Sequence, residues 1–597
     1  MAIIQPLTAN SRDYRLNGLL LSRIWRLIRP YWGRLEAWRS WLLLVLLLSS
    51  VMIGAAISAL QTYQLKTLTD QLIARSEHGF AIALFAYIAF LLFNNLMPVV
   101  MSVADNWLLV DWRRWMTTHL VDRYLEHRTY YDIALKDDLD NPDQRLQESI
   151  TPFVTTVAQF PRTFLFQSGT VISAVGILMS IDSTLLWWAF TAGVLQVLLN
   201  ALITIPTIKL AFQWTVAEAD LRYGLTHVRE NAEAIAFYHG EPAERVHILK
   251  RLMTASRTQL WLNFYKDVAI PGVLALLSAA WIYLPYWFLA PHVVAGTMTY
   301  GTIAQAAGAV SLLQSSLLIL SRFLPLLAEA APPAVRLAQI QERLETLRAV
   351  RSTPTSRRLT IDRTSETVRL DNVSLETPGG EQQLVKALSL CVDGDTNLAI
   401  VGQTGVGKSS LLRAMAGLWT RGHGQLEMPP PEHCLFLPQR PYMILADLRS
   451  QLLYPHDPEV TDERLYEVLE AVNLRHVIDK HGGLSAVRDW GRVLSLGEQQ
   501  RIAFARVLVS KPYFVFLDEA TSAVDFATET RLYRLLAGTG ASYISIGHRL
   551  SILDHHTHVL TLKVGGEWSI ERHDPIDGLT APQADHPTPL VGSERAT

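Results

Sequence analysis

A chain of 597 residues is too long to fold around one hydrophobic core. Its make-up excludes a wholly soluble protein, because charged residues are 18% and hydrophobic ones 49%, against about 25% charged in an average soluble chain. A net charge of −2 marks no nucleic-acid binder, and two cysteines, Cys391 and Cys434, fit a reducing compartment without a disulfide framework.

The first 40 residues are expected to be a cytoplasmic N-terminal segment ending in an elbow helix. Over 20–40, Arg interleaves with Leu, Ile and Trp, which suits a helix lying in the membrane interface. No short apolar core precedes a small-residue cleavage site, so no secretory leader is expected. Apolar runs at about 41–60, 80–104, 161–181, 184–206, 268–290 and 299–326 each reach the ~20 residues that cross ~30 Å of hydrocarbon. They predict a six-helix transmembrane domain over 41–335. Asn94, Asn95, Gln167, Asn200, Gln305, Gln314 and Arg322 interrupt these runs. Such groups either bond between helices or sit near a boundary, or they line a polar translocation cavity.

Basic residues orient the spans. Seven arginines from Arg12 to Arg39 precede the first span; Arg113, Arg114, Arg123 and Arg128 follow the second, and Lys250 and Arg251 follow the fourth. The outer connections hold only Lys66 and Arg75. The N-terminus, the loops 105–160 and 207–267, and everything after span six are therefore expected in the cytoplasm. Each long loop reads as a helical hairpin reaching roughly 45 Å beyond the bilayer. Turns are expected at Asp140-Asn-Pro-Asp143 and Gly240-Glu-Pro242. A charged connector and linker occupy 336–366, a second domain 367–576, and a Pro/Gly/Ser/Thr-rich tail 577–597 is expected to be disordered.

The second domain carries the chemistry. Gly402-Gln-Thr-Gly-Val-Gly-Lys-Ser-Ser410 follows the apolar run Asn397–Val401 and precedes a helical pattern. That strand–loop–helix context suits a phosphate-binding P-loop. Gly402, Gly405 and Gly407 permit the tight turn; Gln403, Thr404 and Val406 supply backbone amides; Lys408 brings a point charge, and Ser409 and Ser410 open the helix. Tyr513-Phe-Val-Phe-Leu-Asp-Glu519 is an apolar strand ending in two carboxylates. Asp518 is expected in an Mg²⁺ shell with Ser409, while Glu519 polarises the attacking water.

Leu494-Ser-Leu-Gly-Glu-Gln-Gln500 looks like the signature of the ABC ATPases, usually Leu-Ser-Gly-Gly-Gln or -Glu, with Leu496 in place of the first glycine. Gln439 resembles that family's Q-loop residue, which also meets Mg²⁺. His548 resembles its switch histidine, and Thr521-Ser-Ala-Val-Asp525 its D-loop. Thr377 stands where the family usually stacks an aromatic on adenine. The whole chain resembles a half-size, exporter-type ABC transporter, an α-helical membrane domain followed by an α/β P-loop domain. Trp112-Arg-Arg-Trp-Met-Thr117, Asn141-Pro-Asp-Gln-Arg145, Asn231–Glu241 and Leu437-Pro-Gln-Arg-Pro-Tyr442 are similar to the D subfamily, the peroxisomal fatty-acyl transporters, and to its BacA/SbmA-like bacterial relatives.

The resemblance implies ATP and Mg²⁺ as cofactors and a homodimer, because Ser495, Gly497 and Glu498 would complete the nucleotide site of a second copy. It also implies an ATP hydrolase coupled to transport in a bacterial inner membrane, with short loops favouring a bacterial over a peroxisomal protein. The cargo is expected to be bulky or amphipathic, such as imported cobalamin or peptides; an alternative is fatty-acyl or lipid-like cargo. A soluble ABC ATPase of translation or repair would lack the spans, and a membrane sensor would not need Lys408, Glu519 and His548 together. His555, His556 and His558 beside Asp554 read as a solvated loop rather than a metal site.

Overall fold

The computed structural model describes residues 18–136, 142–320, 323–352, 359–377, 380–456, 459–547 and 549–573. His548, Arg322, Pro378, the 577–597 tail, part of the 336–366 linker and the Asp140-Asn141 half of the expected turn lie outside them. The chain divides into two compact units, one up to residue 353 and one from 354.

The first unit is helical. Its elements are α1 (Gly18–Trp32), α2 (Trp38–Ile73), α3 (Glu77–Leu125), α4 (Thr129–Lys136), α5 (Pro142–Glu148), α6 (Ile150–Ile181), α7 (Ser183–Glu230), α8 (Ala232–Tyr238), α9 (Glu241–Asn263), α10 (Ile270–Val294), α11 (Tyr300–Leu320) and α12 (Phe323–Ser352). Six helices among the described residues are long and apolar enough to cross a membrane. Their apolar side chains stay largely outward, with only 6% of the α3 window buried. That is what a lipid-facing surface requires.

The elbow helix is shorter than expected. It ends at Trp32, before Gly33, and α2 starts at Trp38. Tyr31 anchors it: the ring stacks on Trp112 at 5.0 Å, and the hydroxyl lies 2.9 Å from both Ser40 Oγ and Asp111 Oδ2. Arg23 grips Glu342 of α12 through two hydrogen bonds of 2.9 and 3.0 Å. The long loops are continuations of the spans. Both α3, with 49 residues, and α7, with 48, run far past the ~20 needed to cross. In the first loop the helix breaks at His127 and Arg128, both at positive φ, and a new helix, α5, starts at Pro142 within the expected turn. In the second it falls at α8, followed by Gly240 with Pro242 in the first turn of α9.

The second unit is α/β. It comprises β1 (Thr360–Asp362), β2 (Val368–Glu376), β3 (Gln383–Val392), β4 (Leu398–Gly402), α13 (Lys408–Met415), β5 (Gly422–Glu427), β6 (Cys434–Leu437), α14 (Leu448–Leu453), α15 (Asp462–Ala471), α16 (Arg475–His481), α17 (Trp490–Val493), α18 (Leu496–Ser510), β7 (Phe514–Asp518), α19 (Phe526–Ala537), β8 (Ser542–Ile546), β9 (His558–Leu562) and β10 (Trp568–Arg572). One sheet has the order β1-β5-β2-β3, and the other β10-β9-β4-β8-β7-β6. In the larger sheet β9, β4, β8, β7 and β6 run parallel. Strands covered on both faces read as unbroken apolar runs, as Phe514–Leu517 of β7 does. Register then sets the site: Ile400 and Asp518 both pair with Ile546 of β8. The ends of β4 and β7 therefore lie on one carboxyl edge, where α/β sheets bind ligands.

The segment around Asp554 is not a solvated loop. Residues Leu550–His555 form a 3₁₀ turn, and His555 and His556 are 5% and 0% exposed. His556 Nε2 lies 2.8 Å from Ser545 Oγ, and His555 stacks on Tyr533 at 4.7 Å. Among the described residues no acidic, His or Cys cluster could hold a metal ion there.

Candidate nucleotide site

The loop between β4 and α13 turns through Gly402, Gly405 and Gly407, at φ +143°, +87° and +108°. Only glycine takes such angles without strain. A Cβ on Gly407 would also stand 3.0 Å from Leu384 Cβ. Gln403 and Thr404 are exposed on the loop and Val406 is buried beneath it. Lys408 folds back inside, its Nζ donating to the carbonyls of Gly402 (2.7 Å) and Gln403 (2.9 Å). Burial pushes the Lys408 ammonium down from its ordinary pKa, with Glu519 and Asp518 opposing.

Ser409 and Asp518 meet, as expected: the hydroxyl donates to Asp518 Oδ1 at 3.1 Å. Ser410 follows in the first turn of α13 without a bond of this kind. Burial raises the Asp518 carboxyl, against Ser409 and Arg413. A hydroxyl and a carboxylate are hard oxygen donors, a set that fits Mg²⁺. Glu519 sits at φ +51°, a conformation non-glycine residues rarely hold, with its amide donating to Ile546 O at 3.0 Å. Gln439 reaches across, Nε2 donating to Glu519 Oε2 at 2.8 Å. Lys408, Ser409, Asp518, Glu519 and Gln439 thus share one edge of the sheet.

The signature residues point elsewhere. Ser495 caps α18 in a reciprocal box with Glu498: Ser495 N donates to Glu498 Oε2 at 2.8 Å, and Glu498 N to Ser495 Oγ at 3.3 Å, while Ser495 Oγ also donates to Glu498 Oε2 at 2.7 Å. Glu498 is also 2.9 Å from His476 Nε2. Burial would raise its carboxyl, but the bonds from His476 and Ser495 prevail and hold it at about 2. Leu496, the departure from the signature pattern, is 39% exposed and leaves the cap intact. Asp525 caps α19, accepting from the Thr528 amide at 2.9 Å. Thr377 closes the β2–β3 turn, its amide donating to Gln382 O at 2.9 Å.

Several residues around this site carry no motif that marks them in the sequence. Gln500 and Arg506 are buried on α18, and Arg549 donates to the carbonyls of Val524 (3.0 Å) and Ser522 (3.1 Å). A polar residue on the apolar stripe of α18, such as Gln500 three residues before Ala503, was the available signal.

Fold and site together define a P-loop ATPase unit fused to a polytopic membrane unit. Residues 27–294 match the family described as ABC transporter transmembrane region 2, and 385–522 match the ABC transporter family. An ABC transporter ATP-binding protein of Synechocystis sp. is 36% identical over 90% of this chain and 82% of its own. The chloroplastic ABC transporter D family member 2 of Arabidopsis thaliana is 31% identical over 94% and 89%, and a lysosomal cobalamin transporter of Mus musculus 29% over 96% and 99%. The chain belongs to the ABC transporter family, as a half-size transporter of the D-subfamily type. It binds ATP and couples hydrolysis to moving a solute across a membrane that it spans several times.

Proposed function

We propose that two copies of this chain form an ATP-driven transporter of a bulky or amphipathic solute in a bacterial inner membrane, with limits of 41–335 for the membrane domain and 367–576 for the ATPase domain. The observation that carries the shared site is the division of labour within one chain. P-loop and carboxylates converge on one sheet edge, while Ser495 stands exposed, bonded to Glu498. A second chain's nucleotide is the natural partner for that cap.

In this reading the amides of 403–410 and Lys408 hold the phosphates, and Ser495 and Gly497 close the site from the other chain. Ser409, Asp518 and Gln439 would hold Mg²⁺, which when bound would supply charge neutralisation at the phosphate oxygens. Glu519 orients the attacking water and takes up its proton, and His548 contacts the γ-phosphate. Asp525 holds the D-loop against α19. Closure draws the ATPase domains together on the cytoplasmic side, and the long helical loops carry the motion to the membrane helices.

A cobalamin-like cargo is favoured by the likeness to a lysosomal cobalamin transporter over nearly the whole chain; imported peptides are a further candidate of the same bulky class. A second reading, acyl or lipid-like cargo, is favoured by a cavity of about 430 Å³ between α2, α3 and α6. Its walls include Leu47, Val51, Phe93, Met97 and Phe166, and one end carries the Asp105–Arg162 ion pair at 2.7 Å. The test is ATP-driven uptake into proteoliposomes of defined orientation, offering cobalamin, peptides and acyl-CoA in parallel. Glu519→Gln is expected to lower turnover and uptake together by about 10²–10⁴-fold. Equal uptake by wild type and Glu519→Gln would overturn the ATP-coupled reading.

A further inference from the structure

Gln500 is fully buried on α18, and every polar group of its side chain is engaged. Its Nε2 donates to Gln439 O at 3.0 Å and to Ser522 Oγ at 3.1 Å, while its Oε1 accepts from Ala523 N at 3.0 Å. The amide orientation follows from the partners, since Ala523 N can only donate and Gln439 O can only accept. One side chain therefore fixes two loops. The first carries Gln439, whose own amide touches Glu519 at 2.8 Å. The second starts from Glu519 itself, whose carbonyl accepts from Ser522 N at 3.0 Å.

Two further contacts stiffen the arrangement. The first turn of α18 lies so close to the D-loop that a Cβ on Gly497 would stand 2.8 Å from Ala523 O. From the other side Arg549, next in sequence to His548, holds the carbonyls of Ser522 and Val524. Ser495, at the exposed tip of the same helix, is five residues from Gln500, about 7.5 Å along the axis. A rigid helix turn thus joins the tip to both loops that surround Glu519.

We propose that Gln500 is a positioning residue that couples the two nucleotide sites: engagement of Ser495 by one nucleotide shifts α18, and Gln500 carries that shift to Gln439, Ser522 and so to Glu519 of its own chain. The inference rests on the shared two-chain site proposed above. Hydrolysis at Glu519 then depends on occupancy of the other site, which makes turnover cooperative in ATP.

Gln500→Glu separates this role from simple packing, because it keeps the size and the acceptor for Ala523 N but loses both donors. The full-length protein in proteoliposomes is expected to lose at least tenfold in kcat, with Kd for a fluorescent ATP analogue within twofold and a Hill coefficient reduced to one. Ser522→Ala removes one of the three bonds at an exposed position and keeps the question answerable if Gln500→Glu folds poorly. It is expected to show the same pattern at a severalfold loss in kcat, with an unchanged melting temperature. The proposal is overturned if both variants keep wild-type kcat and cooperativity, or if the loss scales only with the folded fraction. Glu519→Gln run alongside separates the failures. If it hydrolyses ATP normally, the ATP-coupled reading that gives Glu519 its role is wrong; if it is inactive while Gln500→Glu and Ser522→Ala are both normal, only the coupling role falls.

Discussion

The membrane unit and the ATPase unit satisfy many of their polar side chains in different ways. Within the spans of the membrane unit several hydroxyls turn back on their own helices: Thr69 to Leu65 O, Thr170 to Phe166 O and Thr204 to Asn200 O, at 2.7–2.8 Å. Such a bond hides the hydroxyl without tying one helix to another. In the ATPase unit the long polar side chains bridge distant elements. Gln451 accepts from Ile444 N and donates to Ile444 O, and Arg506 donates to Gln451 O and Tyr442 O. Helices held chiefly by packing can slide past one another, whereas a cross-bonded unit moves as a body.

The largest expected effect falls on the cross-bonded side. Arg506 is 6% exposed, and burial pushes its guanidinium down to about 10. Arg506→Met keeps the length but strands two backbone carbonyls, at 2.7 and 2.9 Å in the native contact. A loss of about 3–5 kcal/mol is expected in denaturant melts that follow hydrogen exchange in β6 and α14. A loss below about 1 kcal/mol would mean that these bridges hold the unit no more firmly than a solvent-exposed side chain does. On the packed side a smaller effect is expected at Gly193, where an added Cβ would stand 2.5 Å from Leu317 Cδ1 and 3.2 Å from Trp281 Cη2. Leu317 can yield in part, so Gly193→Ala should cost about 1–2 kcal/mol in thermal melts in detergent. Gly176, with open space around it, is the matched control, and Gly176→Ala should cost nothing. Equal losses at both positions would argue that close packing does not hold these helices.

The same contrast explains what could be read from the sequence. The P-loop, the β7 carboxylates and the six spans are local patterns, so composition and spacing sufficed to find them. The lengths of α3 and α7 were not legible, since the apolar runs stop where the hydrocarbon would stop while the helices continue. Gln500 and Arg549 escaped because their partners are 61 and 27 residues away, and only the fold brings them together. His555 and His556 read as solvated because nothing nearby in sequence announces Tyr533 and Tyr543, which cover them. Cross-bonded polar residues are thus the hardest to foresee, while self-bonded ones reveal little even when foreseen.

The smallest expected effect tests that last point. Thr170 is 2% exposed and its hydroxyl donates to Phe166 O within α6. Thr170→Val keeps the shape and removes the hydroxyl, and Phe166 O retains its helix partner. The change should stay within about 0.6 kcal/mol. Asp447 makes a local bond of similar length in the ATPase unit, accepting from Ser450 N at 2.9 Å, but there it satisfies an otherwise orphaned amide at the start of α14. Asp447→Ala should therefore cost about 1 kcal/mol. Thermal melts of both variants beside wild type compare the two directly. If Thr170→Val costs as much as Asp447→Ala, the hydroxyls of the membrane unit are holding helices together after all, and its freedom to slide must be sought in other contacts.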